Sequence, residues 1–173
     1  ENELPEITRG LVEELYGRPA TRPELNRLLQ ARFDAFVDIV RPAEDALDVL
    51  EKLAGRYRLA LLSNYPDGFA IRESLRRRGF ERLFGSVVVS ADIGYVKPHP
   101  LPFKVLLDEL MIEPGRTVYV GDNWLADMQG GKRAGMQTIY SVQWENPEGF
   151  VLGEGDHRAD AVIARLSHLL EIL

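Results

Sequence analysis

Five polar side chains fall at points where this sequence turns from an apolar run into a helical pattern. The run 58-RLALLSN-64 ends in Ser63-Asn64, the segment 94-GYVKPHP-100 carries Lys97, and 117-TVYVGDNWLADMQGGKRAG-135 passes through Gly121-Asp122 to a second carboxylate at Asp127. The Ser63 hydroxyl can donate to an anionic oxygen, and the Asn64 amide and backbone N–H groups at a helix start can add donors. Lys97 is a compact positive charge suited to phosphate. Asp122 and Asp127 suit Mg²⁺, a hard cation held by one or two carboxylates, waters and substrate phosphate. Each feature alone has a plainer explanation. Ser-Asn after a strand is common turn chemistry, Pro98 and Pro100 extend the chain around Lys97 regardless of ligand, and an Asp near a helix start is favoured by the dipole.

The elements that must position these groups follow from periodicity. Residues 1–40 read as helical. One helix covers about Ile7–Tyr16, and a second starts at Thr21 with Pro23 in its first turn and an apolar stripe from Leu25 to Val40. After Pro42 the pattern alternates. A helix over Ala43–Ala54 precedes a strand at 58–64, whose continuous apolar run predicts burial on both faces. Further strands are expected at 86–90, 117–121, 137–141 and 161–163, with helices at about 68–78, 102–110, 124–134 and 167–172. This order predicts an α/β fold with a mostly parallel sheet covered on both faces. Open parallel sheets bind ligands beyond the carboxyl ends of their strands, where Ser63, Lys97 and Asp122 fall. Gly130 and Gly131 are expected to allow close packing of the last long helix on the sheet. The stretch 144-WENPEGFVLGEGDH-157 reads as a loop. Trp124 and Tyr65 either border the substrate or pack, and 76-RRR-78 reads as a solvated helix end.

With these residues in this order, the sequence resembles the haloacid dehalogenase-like (HAD) hydrolase superfamily from about Pro42 to the C-terminus. The segment 59-LALLSN-64 is similar to its second motif, 94-GYVKPHP-100 to its third and 118-VYVGDNWLAD-127 to its fourth. The resemblance implies a three-layer Rossmann-like core over residues 42–173 and a partial helical cap over residues 1–41. By it Ser63, with Asn64, binds the transferring phosphoryl group, and Lys97 balances charge on phosphate and nucleophile. Asp122 coordinates Mg²⁺, and Asp127 binds or orients the same ion through its water shell. Gly-Asp with a distal Asp is similar to the phosphatases of the superfamily. The implied activity is therefore hydrolysis of a small phosphorylated metabolite. A non-catalytic HAD-fold protein that binds a phospho-ligand or a partner is the alternative, and a 2-haloacid dehalogenase the third.

One motif of that family has no match here. Its Asp-x-Asp, nucleophile and general acid/base, belongs at the end of a strand ahead of the cap. Asp34, Asp38, Asp45 and Asp48 all lie on helical patterns and none forms the pair. The chain opens on Glu1, so the missing strand is expected upstream in the same gene or on another chain; without it, covalent turnover is not expected. In the family's sheet that strand lies between those ending at Ser63 and Asp122, and its absence leaves two central edges unpaired. Composition bounds the rest. A length of 173 residues and 45% hydrophobic content suit one globular domain with a small appendage. A net charge of −6 argues against general affinity for nucleic acid or anionic membrane. No cysteine is present, which excludes thiol chemistry and fits a reducing cytoplasm. His99, His157 and His168 lack metal-ligand spacing.

Overall fold

The computed structural model describes residues 4–144 and 157–173. The polypeptide opens with two helices, α1 (Leu4–Tyr16) and α2 (Arg22–Ile39). Gly17, at φ +63°, ends α1 in a conformation that disfavours any side chain. The Glu24 carboxylate then accepts the Thr21 N–H at 2.9 Å and its hydroxyl at 2.7 Å, which fixes the start of α2. From there helices and strands alternate: α3 (Ala46–Ala54), β1 (Leu59–Ser63), α4 (Gly68–Arg77), β2 (Phe84–Val89), α5 (Ser90–Ile93), α6 (Pro100–Leu110) and β3 (Val118–Gly121). A π-helical turn at Trp124–Gln129 leads into α7 (Gly130–Arg133), followed by β4 (Gln137–Ser141), β5 (Ala161–Ile163) and α8 (Leu169–Ile172). Most of the loop expected at 144–157 lies outside the described residues.

Every strand pair is parallel, as expected of an α/β fold, yet the strands form two sheets rather than one. β1 pairs with β2, with Ser63 opposite Val89, and β3 pairs with β4, which pairs with β5. No ladder joins β1 to β3 among the described residues. The sequence predicts burial of the first strand on both faces. Instead all five residues of β1 are only half-buried. A strand that lacks a neighbour along one edge keeps part of its surface in water whatever its hydrophobicity.

Helices on both faces hold the two sheets together. On one face Phe103 and Leu107 of α6 pack with Tyr119 of β3, Tyr140 of β4 and Met128, and Leu62 of β1 joins the same cluster. On the other, Val49 and Leu53 of α3 pack with Ile139 and Ile163, and the cluster takes in both Leu59 of β1 and Val118 and Val120 of β3. Each cluster therefore spans the seam between β1 and β3 without strand hydrogen bonds. Gly130 and Gly131 make the α6 face possible. A Cβ on Gly130 would stand 2.5 Å from the Phe103 ring, and one on Gly131 would stand 3.0 Å from Thr138.

The α2 helix rests on the β1 side. Phe33 stacks on Phe69 at 5.5 Å and Phe36 on Tyr65 at 4.3 Å between ring centroids. Arg78 donates to the Val37 carbonyl at 2.5 Å, while Arg76 and Arg77 both pair with Glu73. The arginine run thus serves a helix end and a helix–helix contact. Phe103 is fully buried at the seam. Phe103→Ala is expected to destabilise the fold by about 3–5 kcal/mol through lost burial and a residual cavity, read as a lowered urea midpoint at unchanged slope.

Candidate active site

Of the five polar groups singled out in the sequence, Asn64, Lys97 and Asp127 are joined by hydrogen bonds, and Ser63 and Asp122 stand at the carboxyl ends of β1 and β3. Asn64 and Lys97 are joined first through the backbone. The Asn64 side-chain carbonyl accepts the Lys97 N–H at 2.8 Å, and its amide donates to the Lys97 carbonyl at 3.0 Å. This pair of bonds delivers the lysine side chain to the seam. There the ammonium donates to the Leu62 carbonyl at 3.2 Å, the Tyr119 hydroxyl at 3.0 Å and Asp127 Oδ1 at 2.7 Å. All the N–H groups of the ammonium have partners, two of them on the β3 side and one on β1.

Asp127 is as buried as its partner, with side-chain exposures of 5% and 10% for Asp127 and Lys97. Oδ1 also accepts from the Tyr119 hydroxyl at 3.3 Å, and Oδ2 accepts the Asn123 N–H at 3.0 Å. The polypeptide makes room for this carboxylate by omitting a side chain. A Cβ on Gly121 would lie 2.5 Å from Asp127 Cβ, Cγ and Oδ2. Asn123 caps the turn by accepting the Ala126 N–H at 2.8 Å, and its carbonyl accepts from both Asp127 at 2.8 Å and Met128 at 3.3 Å. That shared carbonyl widens the first turn into the π form. It replaces the regular helix start that the sequence pattern predicts and swings Asp127 inward. Burial, followed by the Asp127 and Asp122 charges, pushes the Tyr119 hydroxyl well above the ordinary phenol range, so it remains a neutral donor.

Two groups remain available. The Ser63 hydroxyl, at the end of β1, has no hydrogen-bond partner among the described residues. The Asp122 carboxylate, just past β3, is exposed and likewise accepts no hydrogen bond there. The arrangement can therefore offer an anion one hydroxyl donor and one nearby ammonium, and can offer a hard cation one free carboxylate. Mg²⁺ commonly takes one or two protein carboxylates and completes its shell with water and phosphate, and Asp122 fits that role. Asp127 has both oxygens engaged by the protein, which favours holding Lys97 over direct ligation. Among the described residues no group of three or more His, Asp or Glu could hold a metal by itself.

Tyr119 and Gly121 are the participants that sequence reasoning passed over. Tyr119 reads as one more apolar strand residue, and only an inward-facing phenol next to Gly-Asp would have signalled its hydroxyl. Trp124 meets Tyr140 edge-on at 5.4 Å and packs on the core. His99 accepts the Leu101 N–H at 3.2 Å as the cap of α6.

A sequence profile of the family described as haloacid dehalogenase-like hydrolase matches residues 7–141. A glyceraldehyde 3-phosphate phosphatase from Methanopyrus kandleri is 34% identical over 103 residues, covering 58% of this chain and 43% of the relative. The pyrophosphatase PpaX of Bacillus pumilus is 32% identical over 143 residues, covering 78% of this chain and 61% of the relative. The chain thus spans about half the length of these curated relatives. Among solved structures, the HAD-hydrolase YfnB from Bacillus subtilis bound to magnesium superposes with a TM-score of 0.76 at 23% identity. That match covers 98% of this chain and 71% of the other, and at such identity it speaks to the fold.

The burial contrast between the two aspartates gives a stability prediction. Asp127→Ala leaves an ammonium buried without its counterion and is expected to cost about 3–5 kcal/mol. Asp122→Ala, at an exposed site, is expected to stay within about 0.5 kcal/mol of the parent. Urea denaturation of both variants checks the difference.

Proposed function

We propose, from the premise that this chain belongs to the haloacid dehalogenase-like hydrolases, that the complete protein is a Mg²⁺-dependent phosphatase of a small phosphorylated metabolite. In this reading an additional strand, outside residues 1–173, lies along the open edges of β1 and β3. It brings the Asp-x-Asp: the first carboxylate attacks phosphorus in line as the bond from phosphorus to the ester oxygen breaks, and the second carboxyl protonates the departing alcohol and then takes a proton from the water that hydrolyses the aspartyl-phosphate. Residues 1–41 form part of a helical cap and residues 42–173 the catalytic core. The absence of cysteine supports a reducing cytoplasm as its compartment.

One observation carries the proposal: Lys97 Nζ stands 2.7 Å from Asp127 and 3.2 Å from the carbonyl of Leu62, next to Ser63, and so bridges the seam where that strand would end. Ser63 would donate to a phosphoryl oxygen. Lys97 would exchange the Leu62 carbonyl, the longest of its three contacts, for another phosphoryl oxygen. Asp127 and Tyr119 would hold the ammonium in place during that exchange, and Asn64 would fix the backbone from which it extends. Asp122 would hold Mg²⁺, which when bound screens the charge of the phosphoryl group. Preorganised charges of this kind act where negative charge develops on the transferring oxygens.

The complete protein is expected to release phosphate from p-nitrophenyl phosphate with Mg²⁺ and to lose that activity in chelator. Lys97→Ala is expected to lower kcat by several orders of magnitude, and Asp122→Asn to lower it severely and weaken Mg²⁺ dependence. A Lys97→Ala loss of tenfold or less, ~1.4 kcal/mol, would remove the charge-balancing role. Activity on 2-haloacids that persists in chelator, with none on the phosphate ester, would point to a dehalogenase. Absence of any turnover, with phosphate still bound, would point to a binding protein.

A further inference from the structure

Beyond the carboxyl ends of β1 and β2 lies a pocket of about 170 Å³ whose walls include Asn64, Tyr65, Pro66, Ser90, Ala91 and Val96. It begins one residue from Ser63. Its volume is comparable with the ~150 Å³ cavity that accommodates a benzene ring in an apolar protein interior.

Of the three polar side chains of this wall, those of Ser90 and Asn64 are engaged, while the Tyr65 hydroxyl has no hydrogen-bond partner among the described residues. The Ser90 hydroxyl accepts the Tyr65 N–H at 3.0 Å and donates to the Tyr65 carbonyl at 3.2 Å. Both ends of the Asn64 amide are bound to the Lys97 backbone, at 2.8 and 3.0 Å. Among the described residues no charged side chain lines the pocket. Of the charges nearby, Lys97 is engaged by its three acceptors and Asp92 by Arg72 at 2.6 Å, and the Arg32 guanidinium lies over the Tyr65 ring, 5.7 Å from its centre. Val96, in contrast, presents a 58% exposed apolar side chain. A charged or polyhydroxylated group placed here would give up water for a wall whose unpaired side-chain partner is the Tyr65 hydroxyl, and each polar group left unmatched would cost a few kcal/mol (about 1–3 from mutational data). An uncharged, largely apolar group meets no such cost and gains by covering Val96, Pro66 and the Tyr65 ring.

We propose that this pocket receives the alcohol part of the substrate, and that this part is uncharged, largely apolar and about the size of a single ring. The inference rests on the phosphatase reading and narrows its substrate class. A phosphate ester bound at Ser63 has the pocket beside its organic part, whereas inorganic pyrophosphate would bring a second anion to a largely apolar wall whose unpaired side-chain hydroxyl is that of Tyr65.

The test compares kcat/KM of the complete protein for phenyl phosphate and for inorganic pyrophosphate, in the parent and in Val96→Trp. The parent is expected to favour phenyl phosphate by about tenfold or more, in the range that complementary apolar pockets supply. Val96→Trp, a substitution at a largely exposed position that fills the pocket with an indole, is expected to reduce that ratio by about tenfold. A parent that hydrolyses pyrophosphate as well as or better than phenyl phosphate would overturn the pocket assignment while leaving the phosphatase reading intact. A ratio unchanged in Val96→Trp would do the same. Release of phosphate from neither compound would overturn the phosphatase reading and the pocket assignment together.

Discussion

A lysine ammonium almost never survives burial without a counter-charge, and the pairing of Lys97 with Asp127 at 2.7 Å is what the rest of this site is arranged around. Removing either charge from water costs several kcal/mol, and the loss is recovered only where geometry is good and the remaining donors and acceptors are filled. Here they are filled. The lysine has the Leu62 carbonyl and the Tyr119 hydroxyl, and the aspartate has Tyr119 and the Asn123 N–H. Gly121 exists in this network as an absence, since any side chain there would occupy the space of the Asp127 carboxylate.

That network also answers a structural need. Among the described residues the two sheets share helices α3 and α6 but no ladder, so the β1–β3 seam is closed on both faces by side chains and left open along the strand edges. Lys97 is the polar link across it, anchored to β1 through Leu62 and to β3 through Tyr119. The same seam carries on one side the Ser63 hydroxyl, without a hydrogen-bond partner among the described residues, and on the other the exposed Asp122 carboxylate. Ser63 and Asp122 thus stand beside the buried Lys97–Asp127 pair without being part of its hydrogen-bond network among the described residues.

Much of this was legible in the sequence because it depends on local pattern. Apolar runs, glycine and proline punctuation and the alternation of strand with helix fix the α/β class, and the segments around Ser63, Lys97 and Asp122 fall at strand ends. What escaped depends on contacts between residues distant in the chain. The engagement of Asp127 by Lys97, thirty positions earlier, is invisible to spacing arguments and changes how the second carboxylate is read. The Tyr119 hydroxyl matters only because its ring faces inward beside both. Half-exposure of β1 contradicts its uniformly apolar sequence, since the run encodes a strand suited to two neighbours and the described residues supply one. The π turn at Trp124–Gln129 arises from one carbonyl shared by two N–H groups, a detail that helical periodicity does not encode.

In the proposed reaction one phosphoryl group is gripped from both sides of the seam. A crystal structure of the complete protein with inorganic phosphate and Mg²⁺ measures this directly. It should show a further strand between β1 and β3, one phosphate within hydrogen-bond reach of both Ser63 Oγ and Lys97 Nζ, and the cation on Asp122. A structure in which β1 and β3 pair with each other, or in which the phosphate sits away from Lys97 with its ammonium still on Leu62, would contradict it.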